Sequence, residues 1–112
     1  MERRRYGRLV VPLSVEYHAE LPETGEVHQG QCVTRDISLG GVYFFCDSPF
    51  PIRPGLTLDL TIAAPLPYLD LHDTSHLKAR GEVLRMDPPG PDSPQWGVAV
   101  AFLNNLTFSS LS

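Results

Sequence analysis

The 112-residue chain reads as all-β, a six-stranded antiparallel barrel, on three observations. Apolar and polar residues alternate in runs too short for helices; Pro, Gly, Asn and Asp bound those runs at regular spacing; and no stretch carries a sustained 3.6-residue apolar period. A closed barrel is preferred to an open sandwich because closure removes the strand edges that a small sheet leaves open to aggregation.

The elements follow in chain order. Val11, Leu13, Val15 and Tyr17 alternate with Pro12, Ser14, Glu16 and His18 and predict the first strand. Pro22-Glu23-Thr24-Gly25 is a turn, and residues 26–35 form a second, less regular strand. Gly41 to Cys46 is the third; its Val42-Tyr43-Phe44-Phe45 run is apolar on both sides, as a strand covered on both faces requires. After the Pro-rich connection at 48–55, Leu56, Leu58, Leu60 and Ile62 alternate with Thr57, Asp59 and Thr61 in the fourth. A long loop at 63–76 leads to the fifth strand at 77–87. Trp96, Val98, Val100 and Phe102 alternate with Gly97, Ala99 and Ala101 in the sixth. The domain plan is an arginine arm at 1–8, the barrel at 9–103 and a tail at 104–112, with little or no room for a C-terminal helix.

Charge is unevenly distributed along this plan. The net charge is −4, yet Arg3, Arg4, Arg5 and Arg8 against Glu2 give the first eight residues +3 and leave −7 for the rest. An acidic body opposes a long nucleic acid, while four clustered arginines still suit a small polyanion. No apolar run reaches membrane-spanning length, and the basic start lacks the apolar stretch of a secretory signal, so membrane insertion is not expected and the cytoplasm is the expected location. Cys32 and Cys46 are symmetric about Leu39, and a tight hairpin would place them opposite each other. In a reducing compartment they are read as two small buried hydrophobes.

Two features carry chemistry: Arg4-Arg5-Tyr6-Gly7-Arg8 ahead of the first strand, and Asp36-Ile37-Ser38-Leu39-Gly40-Gly41 between the second and third. Guanidinium groups grip phosphates bidentately, stack on purines and fork onto guanine O6 and N7. Asp36 can accept from a guanine N1–H or amino group and Ser38 adds a hydroxyl. Gly40 and Gly41 lack a Cβ, which permits positive φ and close approach to a flat ligand. Taken together, they suit a small guanine nucleotide with exposed phosphates.

The spacing R-x-x-x-R at Arg4 and Arg8, D-x-S-x-x-G at Asp36, Ser38 and Gly41, and Trp96-Gly-Val-Ala-Val-Ala-Phe102 as the last strand resemble the PilZ family of bacterial cyclic-di-GMP receptors. The resemblance implies a six-stranded antiparallel barrel whose ligand, a cyclic dinucleotide with two phosphates, is gripped by Arg4 and Arg8 while Asp36, Ser38 and Gly41 surround one guanine. Arg3 is expected as an auxiliary cation, and Gly40 beside Gly41 keeps the approach open. Binding is expected to order a mobile arm and to change affinity for a protein partner or fused output domain. The alternative is a barrel of this type that serves only protein interaction.

Other chemistry finds little footing. Asp70, His72, Asp73 and His76 could ligate a metal, but the H-x-x-x-H spacing works on a helix and none is expected there, so no metal site or cofactor is predicted. There is no G-x-S-x-G elbow, and Gly40-Gly41 runs into a strand rather than opening a helix as a Walker loop does, so no enzyme is expected.

Overall fold

The computed structural model describes residues 12–49, 51–64, 75–104 and 107–110. They form seven strands: β1 (Ser14–Glu20), β2 (Val27–Ile37), β3 (Gly41–Cys46), β4 (Thr57–Ala64), β5 (Ser75–Asp87), β6 (Trp96–Phe102) and β7 (Thr107–Ser110). All pairings are antiparallel. The order β4-β1-β2-β3-β6-β5 closes through a β4–β5 pairing, which gives the six-stranded barrel that the alternation predicted. No described helix is long and apolar enough to cross a membrane.

The core is built from one face of the barrel strands. Val15, Tyr17 and Ala19 of β1, Val42 and Phe44 of β3, Leu58, Leu60 and Ile62 of β4, and Val98 and Val100 of β6 all point inward and are buried. Phe44 is completely inaccessible; it stacks on Tyr17 with ring centroids 6.2 Å apart. Thr34, a buried polar residue of β2, accepts a hydrogen bond from the Leu13 N–H through Oγ1 at 2.9 Å, while its own N–H donates to the Leu13 carbonyl at 2.9 Å. That exchange ties the chain entering β1 to β2 and leaves the Leu13 donor satisfied inside the core.

Two features differ from the sequence reading. Residues 104–112, expected as a tail, contain β7, which pairs with Ser75 to Lys78 of β5. The cause lies in the length of β5: its 13 residues outrun β6, which pairs only from Gly81 to Asp87, so its leading residues would otherwise present an open edge. Second, Cys32 and Cys46 are joined as a disulfide rather than packed as two thiols, with Cα atoms 5.4 Å apart. The Val33–Phe45 pairing sets them directly opposite each other at the next position of the β2–β3 ladder, both facing inward.

Two β-bulges shape the outer face of the barrel. Along β2, Val33 pairs with Phe45 and Thr34 with Phe44, but Asp36 then pairs with Tyr43, leaving Arg35 as an extra residue. In an unbroken strand residues 34 and 36 share a face; the extra residue keeps Thr34 in the core and turns Asp36 outward. β5 repeats the device. Val83 pairs with Val100 and Arg85 with Ala99, so the bulge at Leu84 leaves Val83 in the core and brings Arg85 to the outer surface.

Candidate functional site

The two bulges together create one cross-strand row on the outer face of the barrel: Asp36 on β2, Tyr43 on β3, Ala99 on β6 and Arg85 on β5. The next row continues through Phe45, Gly97 and Asp87. Glycine at 97 is required because a Cβ there would run into the Tyr43 ring, which lies diagonally across β6 to reach β5. At the far end of that ring the Tyr43 hydroxyl donates to Asp87 Oδ2 at 2.6 Å.

Cations flank this tyrosine. The Arg35 guanidinium carbon sits 4.0 Å from the Tyr43 ring centroid, and that of Arg85 sits 5.8 Å from it. Each is held by a neighbouring carboxylate. Arg35 Nε donates to Asp36 Oδ2 at 2.7 Å, and Arg85 Nε to Asp87 Oδ1 at 3.3 Å. Tyr43 is therefore buried although it points away from the core. Burial, followed by the hydrogen bond to Asp87, raises its pKa above the phenolic 10.0. The same hydrogen bond, with the Arg85 guanidinium, holds the Asp87 carboxyl below its ordinary value.

The predicted site residues divide into those the structure brings together and those it does not describe. Asp36 and Ser38 both belong to the β2–β3 hairpin, and the Asp36 carboxylate is on the outer face beside Tyr43. Ser38 opens the hairpin turn: its N–H donates to the Gly41 carbonyl at 2.9 Å, and its hydroxyl accepts from the Gly40 N–H at 3.1 Å. Gly40 in turn uses its carbonyl to accept the Phe102 N–H at 2.9 Å, anchoring the turn to the end of β6. Leu39 stands exposed at its tip. Arg3, Arg4 and Arg8, and with them the arm's expected place beside the turn, lie outside the described residues. Asp70, His72 and Asp73 lie outside them as well; among the described residues no group of His, Cys, Asp and Glu is arranged to hold a metal.

The positive φ expected of the hairpin glycines is absent. Neither Gly40 nor Gly41 adopts positive φ; among the described residues only Gly25 and Gly55 do, in the β1–β2 turn and just before β4. Gly41 is demanded by the sheet itself. A Cβ at 41 would collide with the Val100 carbonyl oxygen and lie 3.4 Å from Ala101 Cα, both backbone atoms of the adjacent strand. The D-x-S-x-x-G spacing thus serves hairpin closure and sheet packing as well as the surface above them.

Sequence reasoning missed Arg35, Tyr43, Arg85 and Asp87. Arg35 adjoins the motif and could have been weighed with it, but the other three meet only through a contact spanning 44 positions. A groove of about 470 Å³ lies elsewhere, across β1, β2 and β4, lined by Glu16, Gln31, Val33, Thr61 and His76. The buried Nδ1 of His76 has no hydrogen-bond partner among the described residues. None of Asp36, Ser38, Gly40 and Gly41 lines this groove, and the paired charges on the Tyr43 face are the better chemical indicator of a site.

A family profile described as PilZ domain matches residues 2–111, almost the whole chain. No curated protein matches it. Among solved structures it is similar to the inhibitor of motility MotI/DgrA of Bacillus subtilis, with a TM-score of 0.71 at 21% identity over 94% of this chain. It is also similar to the PilZ domain of YcgR from Escherichia coli, solved with c-di-GMP, with a TM-score of 0.57 at 16% identity over 92% of this chain. The alignment spans 44% of the MotI chain and 79% of the YcgR one, and at these identities the likeness is one of fold.

Proposed function

Because this chain belongs to the PilZ domain family, we propose that it is a receptor for cyclic-di-GMP, a binding protein rather than a catalyst. The observation that carries this reading is the bulge at Arg35, which turns the Asp36 carboxylate out of the barrel and sets it beside Tyr43 and the Ser38 turn. The Asp36 side chain there is nearly buried, its Oδ2 accepting from Arg35 Nε. A carboxylate there can accept from the N1–H and amino group of a guanine, and the guanidiniums of Arg4 and Arg8 supply the charge that two phosphates need. Arg3 adds a third cation to that arm. The PilZ domain of YcgR, solved with c-di-GMP, supports the ligand class.

In this reading the signal is the arm. Four arginines within eight residues repel one another until a dianion neutralises them. Binding then fastens the arm across the Asp36 face and creates a surface for a partner protein or an attached output domain.

A second reading has its own observation. Asp36 is already paired with Arg35 and the Ser38 hydroxyl with the Gly40 N–H, so the hairpin motif holds itself together without a nucleotide and could serve a protein-interaction module. Calorimetric titration with cyclic-di-GMP, GTP and a short oligonucleotide separates the two. Saturable binding of cyclic-di-GMP alone, lost in Arg4→Ala and Arg8→Ala with the thermal melt unchanged, supports the receptor. Silence with all three ligands favours the interaction module.

A further inference from the structure

We propose that Arg85 is a ligand-binding residue of this face, donating to a phosphate of the cyclic dinucleotide; this rests on the receptor reading above. The strand bearing Arg85 is remote from both motifs in sequence, yet the bulge at Leu84 puts it in the same cross-strand row as Asp36. Three strand spacings separate the ends of that row, roughly 14 Å between backbones. The side chain shortens the gap, because the Arg85 guanidinium leans toward β3 to within 5.8 Å of the Tyr43 ring centroid, while that of Arg35 is 4.0 Å from the same ring. The two guanidinium carbons therefore stand no more than about 10 Å apart, within the span of one dinucleotide.

Its hydrogen bonding leaves Arg85 ready for an anion. Only Nε is engaged, with Asp87 Oδ1, and among the described residues the two terminal NH₂ groups have no partner. Those are the atoms that form the bidentate fork onto a phosphate. The side chain is 62% exposed, so an ion pair with Asp87 alone is a weak reason for its position. Tyr43 and Asp87 act as positioning residues: the ring lies beneath the guanidinium and the carboxylate fixes its Nε, which reduces the rotamer freedom lost on binding. Between Asp36 and Arg85 the row is covered by the Tyr43 ring, for which Gly97 of β6 makes room, and Ala99 in the same row is buried. Two other described arginines are engaged away from this face, Arg53 with Glu23 and Arg80 with Asp59.

The test is calorimetric titration of the full chain and of Arg85→Ala, Arg85→Lys and Arg80→Ala with cyclic-di-GMP at two salt concentrations. The expected result is about tenfold weaker binding and a shallower salt dependence in Arg85→Ala, partial rescue in Arg85→Lys, and wild-type affinity in Arg80→Ala, all with unchanged melts. Wild-type affinity and salt dependence in Arg85→Ala would overturn the assignment and leave the receptor reading intact. Failure of the wild-type chain itself to bind would overturn both.

Discussion

Replacing Gly41 with alanine separates the two duties of the D-x-S-x-x-G hairpin. The new Cβ would meet the Val100 carbonyl oxygen and lie 3.4 Å from Ala101 Cα. Both are main-chain atoms inside a paired strand, so no rotamer change relieves the contact and β3 must retreat from β6. Overpacking of this kind costs typically ~1–3 kcal/mol. The retreat also strains the two bonds flanking the site, Ser38 N–H to the Gly41 carbonyl and Phe102 N–H to the Gly40 carbonyl, at roughly 0.5–1.5 kcal/mol each if lost. The expected destabilisation is about 2–6 kcal/mol, which for a domain of this size lowers Tm by roughly 8–24 °C. Circular-dichroism melts read it directly. Gly90→Ala is the control, since its Cβ meets nothing within 4 Å and its φ is not positive. If Gly41→Ala melts with the wild type and loses only ligand affinity, the glycine serves ligand approach and its packing against β6 is not what demands it.

Four further measurements probe the same structure. Reducing the Cys32–Cys46 disulfide opens a loop closed over a separation of 14 residues, expected to remove about 3 kcal/mol and roughly 12 °C of Tm; an unchanged melt with both thiols titratable would refute this. Thr34→Val keeps the shape of a buried side chain but strands the Leu13 N–H, so denaturant unfolding should show a loss of about 1–3 kcal/mol, and a neutral result would mean that the donor finds another acceptor. Tyr43 has its folded pKa raised above 10.0, so its contribution to stability is complete below pH 10 and is lost as pH climbs through the raised value. Wild-type stability should therefore fall more steeply above pH 10 than that of Tyr43→Phe, and parallel pH profiles would contradict the assigned environment. The fourth follows the amide shifts of the Asp36 face during ligand addition.

The sequence was legible where a single rule governs a segment. Trp96–Phe102 is found with its bounds because alternation and flanking turns agree, and Gly41–Cys46 because turns flank a doubly apolar run, whose two faces are indeed covered, Phe44 by the core and Tyr43 by arginines. The bulges were not legible: an extra residue within Val33-Thr34-Arg35-Asp36 leaves no mark on a polar stretch, and its effect appears only once the partner strand fixes register. For the same reason Asp36 could be named from its motif while its direction, its pairing with Arg35 and the Tyr43–Asp87 link could not. β7 was missed because Thr107-Phe108-Ser109-Ser110 is too short to show a period; the unpaired flank of β5 recruits it. The cysteine spacing did place Cys32 opposite Cys46, and only the assumption of a reducing compartment kept them apart.

One face carries the proposed function, the row from Asp36 through Tyr43 and Ala99 to Arg85. Backbone amide chemical shifts recorded during addition of cyclic-di-GMP test it most directly. The changes are expected to concentrate at Asp36, Ser38, Gly40, Tyr43, Ala99 and Arg85, with His18 and Asp59 across the barrel unmoved. Changes confined to β1 and β4, or no change at saturating ligand, would contradict it.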